Sequence, residues 1–388
     1  MDNKIRYRDI PIFLLFCFIP VEIEIIPQFS TVKLVTILVI IVYLINIKTY
    51  VHIRDKMSEW HIKLCLMAIL SCIWSIDTGA SLSKAVMFLV PTVITCWIVY
   101  QTIDSVKKVN IALFMYFIGC MINVVYSLIN RNAILLAAEF AGQDRMVAFG
   151  QDPNMLAFLL NMGIVSAYYI YTTINMNKLL KLLLLVCTSL MLYISISTGS
   201  RTGLITICLC VAIICFNGAR NVAKMIPLTI IAFILILKYL PESIIERFMD
   251  TQSQVKTGEI SERGEIWLKG LHAFMNENFI LGVGYQNFSE MLAKYYGGWH
   301  MASHNTYLSY LVDLGIAGII YLINWIFKLY RYCRQIAFFS NSKTIYLFLL
   351  PIIICMCALD IENKIWLFVT GTMIYKYYVL TLEMHNKT

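Results

Sequence analysis

LLKLLLLVCTSLMLYISISTGSRTG, residues 179–203, runs from Leu179 to Ser197 with Lys181 as its only charge, then stops at an arginine flanked by Gly199 and Gly203. A hydrocarbon layer about 30 Å thick is crossed by about 20 residues of helix rising 1.5 Å each. The stretch has that length, and it ends on a permanent cation at membrane level.

Working outward, similar apolar runs occupy residues 10–26, 32–47, 62–76, 84–103, 110–129, 154–173, 202–216, 225–240, 304–327, 344–359 and 365–382. With 179–197 these predict an all-α, polytopic integral membrane protein of about twelve transmembrane helices, read as a single membrane-embedded domain over 1–388. Composition agrees: 60% of residues are hydrophobic and 14% charged, against about 25% charged in ordinary soluble domains. The runs near 32, 62 and 202 are short for a span and borrow polar flanks or cross thinner membrane.

Cations are retained on the cytoplasmic side of a membrane. With the N-terminus inside, the inner segments hold Lys4, Arg6, Arg8, Lys48, Arg54, Lys56, Lys63, Lys107, Lys108, Lys178, Lys181, Arg220, Lys224, Lys328, Arg331, Arg334, Lys343 and Lys387. The short outer segments hold only Lys33, Lys84, Arg131, Arg145, Arg201 and Lys364. Both termini are therefore expected in the cytoplasm. The net charge of +8 is a topology signal and does not indicate nucleic-acid binding.

Two outer segments are long on this topology, 130–153 and 241–303, and loops of that length are usually functional. In the longer one Ile244, Ile245 and Phe248 share a helical face, and Ile266, Trp267, Leu271 and Phe274 recur at helical spacing. Short amphipathic helices lying on the membrane surface are expected there, with Leu281–Tyr285 as a tight turn. None of the twelve cysteines falls in these segments, so a disulfide framework and a zinc site lack support. The run at 10–26 has no small-residue cleavage site and is read as a first helix, not a removable signal.

Chemistry is sparse in so apolar a chain. Arg201 either touches lipid headgroups or binds an anion, and intramembrane charge is a functional hypothesis by default. Arg263 opens an amphipathic stretch; its fork suits phosphate oxygens, yet Glu259 and Glu262 are nearby carboxylates. Arg131 and Arg145 are candidates for solvated loop charges. His304 follows Ser303, a residue able to cap a helix beginning there, and a helix N-terminus disfavours imidazolium. The ring is then either a general base or an interface anchor. Asn305 can orient that ring or a sugar hydroxyl, or cap the helix. Asp152, Pro153 and Asn154 make a helix start, with Asn154 a possible cavity residue. Asp313, nine positions beyond His304, falls on the opposite helix face and reads as a packing or polar-network residue.

Taken in order, Gly150-Gln151-Asp152-Pro153-Asn154, Ser200-Arg201-Thr202-Gly203, Arg263 with Trp267, Gly282-Val283-Gly284-Tyr285, and His304-Asn305-Thr306-Tyr307-Leu308 with Gly315 and Gly318 resemble the O-antigen ligase and O-antigen polymerase superfamily. The resemblance spans about residues 145–320. It implies a membrane glycosyltransferase of the bacterial inner (plasma) membrane, working at the periplasmic or external face on undecaprenyl-diphosphate-linked oligosaccharide. In such enzymes arginines at positions similar to Arg201 and Arg263 hold the donor pyrophosphate. A histidine similar to His304 activates the acceptor hydroxyl, with no metal or cofactor required. Arg145, Asn154 and Asn305 are carried over as substrate-binding residues on the same basis. The His-Asn-Thr-Tyr-Leu and Ser-Arg-Thr-Gly segments look more like chain-extending members, which points to a repeat-unit polymerase, with ligation to lipid A-core as the alternative. Its implied partners are membrane lipids and the flippase and chain-length regulator of the same pathway. A transporter or flippase is the rival of another class, but the two halves show no internal repeat of the kind transporters carry.

Overall fold

Helix caps set the frame. In a computed structural model describing residues 5–26, 29–50, 53, 55–131, 145–217, 262–340 and 342–386, the chain is mostly helical. Asp152 accepts from the N–H groups of Asn154 and Met155, Asn177 from Leu180, and Ser200 from Gly203 at 3.1 Å. Each satisfies an orphan donor of a first helical turn. The helices used below are α1 (Ile10–Phe18), α2 (Thr31–Ile45), α3 (Lys56–Ser71), α4 (Thr78–Thr102), α5 (Val106–Ile129), α6 (Pro153–Thr173), α7 (Lys178–Ser197), α8 (Arg201–Asn217), α9 (Glu262–Phe274), α10 (Phe288–Tyr295), α11 (Thr306–Ser340), α12 (Tyr346–Met356) and α13 (Ile365–His385).

Six of these are long and apolar enough to cross a membrane: α4, α5, α6, α7, α11 and α13. α2, α8 and α12 are shorter apolar helices. The run expected at 225–240 and the face of Ile244, Ile245 and Phe248 lie outside the described residues. The run at 10–26 is not one helix: α1 ends at Phe18 and Glu24–Ile26 pairs antiparallel with Phe29–Ser30. Pro20 is the reason. It offers no N–H to a continuing helix, and its carbonyl instead accepts from the side chains of Asn123 at 2.6 Å and Gln151 at 2.9 Å.

The chain divides into two compact units. The first contains Met1–Val42, Ser105–Lys256 and Ile336–Pro351, and within it α5, α6 and α7 pack together with α1 and α8. Gly203 fits there because any larger residue would press into the Ala157 methyl, 2.8 Å from the position of an added Cβ. Small residues at such crossings let helix backbones approach where lipid gives no hydrophobic drive to association.

The second unit contains Tyr43–Asp104, Thr257–Gln335 and Ile352–Thr388. Its small core is built from Ile266, Ala273, Phe274, Val283, Phe288, Met291, Leu292, Leu308 and Val312. Leu271, expected on the inner face of α9, is 39% exposed; the stripe of Ile266, Gly270, Ala273 and Phe274 turns inward instead. α11 is broken at Gly315, whose φ of 66° and ψ of −161° are closed to residues with a side chain. Leu281–Tyr285 is more than a turn. Gly282 and Gly284 take φ of 74° and 101°, and the segment lies along the break: Val283 and Gly284 donate to the carbonyls of Val312 and Asp313, and Ile316 donates to Phe279.

Gly315→Ala therefore meets a forbidden backbone conformation and the Ile280 carbonyl together. We expect it to cost more than the about 1–3 kcal/mol of backbone strain alone. Gly297→Ala, at φ 63° in open space, should cost about 1–2 kcal/mol. Thermal unfolding in detergent that left Gly315→Ala no less stable than Gly297→Ala would contradict the role given to the break.

Candidate functional site

The first unit assembles Arg145, Asn154 and Arg201. Arg145 is buried; its Nε donates to the Thr198 carbonyl at 2.8 Å and an Nη to Asn154 Oδ1 at 3.1 Å. Arg145 is thus no solvated loop charge, and Asn154 holds it. The turn it grips is built by its own hydroxyls. Thr198 Oγ1 donates to the Ser195 carbonyl at 2.7 Å and accepts from Ser200 N–H at 3.2 Å, and Gly199 takes a φ of 63°. Behind the turn Asn161 accepts from Ser195 Oγ at 2.8 Å and donates to the Gly203 carbonyl at 2.9 Å. Arg201 is the first residue of α8, so a half-buried cation sits against the positive end of a helix.

The second unit assembles Arg263, His304 and Asn305. The structure corrects the helix start: α11 begins at Thr306, Asn305 Oδ1 accepts from Leu308 N–H at 3.2 Å as the cap, and Ser303 Oγ takes the Asn305 N–H at 3.1 Å. The cause is His304 itself, whose φ of 47° turns the chain before the helix. Non-glycine residues there cost energy and persist only when their surroundings over-determine them.

The surroundings are the connection between α12 and α13. Arg263 donates to the Ala358 carbonyl at 3.0 Å. Thr306 gives both its N–H, at 3.1 Å, and its hydroxyl, at 2.6 Å, to the Leu359 carbonyl, and its Oγ1 takes the Ile361 N–H at 3.1 Å. Ser303 Oγ lies 2.6 Å from Ser309 Oγ and 3.4 Å from Asp360 Oδ2. From α9, the Trp267 indole donates to the Ser303 carbonyl at 2.8 Å. Cation and imidazole are thereby carried on one hydrogen-bonded frame.

Behind this frame lie two buried acids, Asp313 and Glu362, with the half-buried Asp360 beside them. Asp313 accepts from the N–H groups of Gln286 at 3.1 Å and Asn287 at 3.0 Å, the polar-network role read from its place on the helix. Gln286, at φ 58°, also has its carbonyl held by Lys84 Nζ at 2.8 Å. Burial, then Asp313 and Asp360, hold the Glu362 carboxyl well above the usual glutamate range. Burial likewise raises Asp360. Burial thus favours the neutral form of Glu362, which is able to donate to Asp313. The sequence reading passed over Ser303, Thr306, Asp360, Glu362 and Lys84 as parts of the frame; the available signal was two acids, Asp360 and Glu362, between apolar runs.

Residues 183–323 match the family model described as O-antigen ligase, which supports the O-antigen ligase and polymerase superfamily for this chain. No curated protein matches. The matched stretch includes Arg201, Arg263 and His304, whereas Arg145, Asn154, Lys84, Asp360 and Glu362 lie outside it.

The raised Glu362 value has a direction in pH. A carboxyl favoured as the neutral acid in the fold gives its full stabilisation below the unfolded value of about 4.3, and loses it as pH rises through the folded value. Glu362→Gln keeps the shape and a donor toward Asp313 but cannot ionise. We expect its melting temperature to exceed that of the unsubstituted protein at pH 9 and not at pH 5; parallel profiles would remove the assignment of a neutral acid.

Proposed function

We propose that this protein is a surface-polysaccharide repeat-unit polymerase, which moves a glycan from undecaprenyl diphosphate onto a second lipid-linked repeat unit at the external face of the plasma membrane. The observation that carries the reading is the shared frame of the second unit. Arg263 and both residues flanking the His304–Asn305 pair are bonded to residues 358–361, so a phosphate-binding fork and a base are held at fixed spacing. Preorganised charge of this kind stabilises a transition state without reorganising during the reaction.

In the proposed reaction His304 takes the proton from an acceptor sugar hydroxyl, and that oxygen attacks the anomeric carbon of the donor. The bond from that carbon to the phosphate oxygen breaks, the configuration inverts, and undecaprenyl diphosphate leaves with the bonding electron pair. Arg263 stabilises the negative charge that develops on the pyrophosphate, and the resemblance gives Arg201 and Arg145 as further substrate-binding residues. Asn154 holds Arg145, and Asn305 fixes the start of α11 beside His304 while its amide N–H groups face sugar hydroxyls. The flippase and chain-length regulator of the same pathway are its proposed partners, and both termini lie in the cytoplasm.

Ligation to lipid A-core is a second reading, favoured by the description of the matching family model. Deleting the gene separates them: loss of the polymerase leaves a single repeat on the surface, and loss of a ligase leaves core alone. An unchanged polysaccharide ladder would refute both.

His304→Ala should abolish polymer formed from purified lipid-linked repeats while the protein stays in the membrane, since general base catalysis is worth about 10²–10⁴-fold. Arg263→Lys keeps the charge but loses the fork, and a fall of about tenfold or more in kcat/KM is expected. Near-normal turnover by His304→Ala would end the assignment of the base.

A further inference from the structure

An aromatic cluster in the second unit has no part in the chemistry above. Lys269 leaves α9 and places Nζ 4.5 Å from the centre of the Trp299 ring and 5.5 Å from that of Tyr296. The two rings meet edge to face at 6.4 Å and 83°, and Glu265 pins the ammonium at 2.6 Å. Both rings are half-buried against the core of Ile266, Phe274 and their neighbours, and each keeps part of its surface exposed. Cation–π contact and packing fix the rings before any ligand arrives.

The cluster has a polar edge: the Tyr296 hydroxyl donates to the Lys269 carbonyl at 3.3 Å and lies 3.3 Å from His272 Nδ1. A rigid ring edged by donors and acceptors matches a pyranose, which has an apolar C–H face and a border of hydroxyls. It does not match an acyl chain, which would strip water from Lys269 and Glu265.

α9 carries a separate surface for lipid. Leu268, Leu271 and Met275 are 57%, 39% and 75% exposed and share one face; at about 100° per residue Lys269 stands roughly 130° away from it. With that stripe toward the acyl layer, the Trp299 cluster faces water. The cluster also leads directly to the base. Trp299 precedes His304 by five residues, and α9, which supplies Lys269, also supplies the Trp267 bond to Ser303.

We propose that Trp299 and Tyr296, braced by Lys269, form a sugar-stacking subsite for the glycan of the acceptor. The proposal rests on the polymerase reading, and its test separates the two. The full-length protein in nanodiscs is supplied with lipid-linked repeat unit from the producing strain, and acceptor KM and kcat are measured for Trp299→Ala and Trp299→Phe. Loss of the ring should raise KM about tenfold, the size of one aromatic contact, with kcat within about twofold; the phenyl ring should restore most of the affinity. An unchanged KM, or equal losses of kcat in both variants, overturns the subsite.

Binding of the released repeat-unit oligosaccharide, read by saturation-transfer NMR, decides the subsite without turnover. A Trp299-dependent signal supports it even where no polymer forms, in which case only the polymerase reading fails. No signal from the unsubstituted protein overturns it. Quenching of Trp299 fluorescence by brominated acyl chains, lost in Trp299→Phe, would place the ring in lipid and equally overturn it.

Discussion

The break in α11 at Gly315 sets the constraint that the rest of the second unit answers. A helix interrupted among apolar neighbours leaves carbonyls and N–H groups that lipid cannot satisfy, and each left unmade costs several kcal/mol. The segment 279–287 supplies the missing partners. Val283 and Gly284 donate to Val312 and Asp313, Phe279 accepts from Ile316, and Asp313 turns its carboxylate onto the N–H groups of Gln286 and Asn287. The side chain of the residue two before the break thus completes what its backbone begins.

Once this segment is needed, its own polar groups need partners. Ser71 Oγ accepts from Tyr285 N–H at 3.0 Å, Ser81 Oγ donates to the Tyr285 carbonyl at 2.8 Å, and Trp74 Nε1 donates to the Leu281 carbonyl at 3.1 Å. Ile76 donates to the Val283 carbonyl, and the Asn287 amide reaches Ser75 and Ser81. The link between α3 and α4 is therefore irregular for a reason. It presents hydroxyls and backbone to a chain crossing it about 200 residues later, and an uninterrupted apolar helix has neither to offer.

This explains which features were legible in the sequence. Apolar runs at 110–129, 154–173 and 179–197 became α5, α6 and α7 nearly end for end, because length and composition alone decide that a membrane helix forms. The cap Asp152 was legible for the same reason, being local. Pro20 as an acceptor for Asn123 and Gln151, Asn154 as the holder of Arg145, and the frame at 358–361 were not. Each is a bond between residues far apart in the chain or in a connection with no periodicity, and nothing in the local sequence distinguishes its serines and acids from those of an ordinary loop. Arg145 is the clearest case: its neighbours suggest solvent, yet distant carbonyl and amide oxygens bury it.

Strain draws the same line at finer scale. Phe149, Gln286 and His304 are the described non-glycine residues with positive φ, each carrying about 1–3 kcal/mol that local interactions do not return. Gln286 is held by Lys84 and Asp313, and His304 by the bonds of Ser303, Asn305 and Thr306 on either side. Histidine, with asparagine and aspartate, is one of the few side chains enriched at such a backbone. The bonds of Thr306 to Leu359 and Ile361 and of Arg263 to Ala358 meet on one connection, so the strained turn and the cation are fixed by the same short segment.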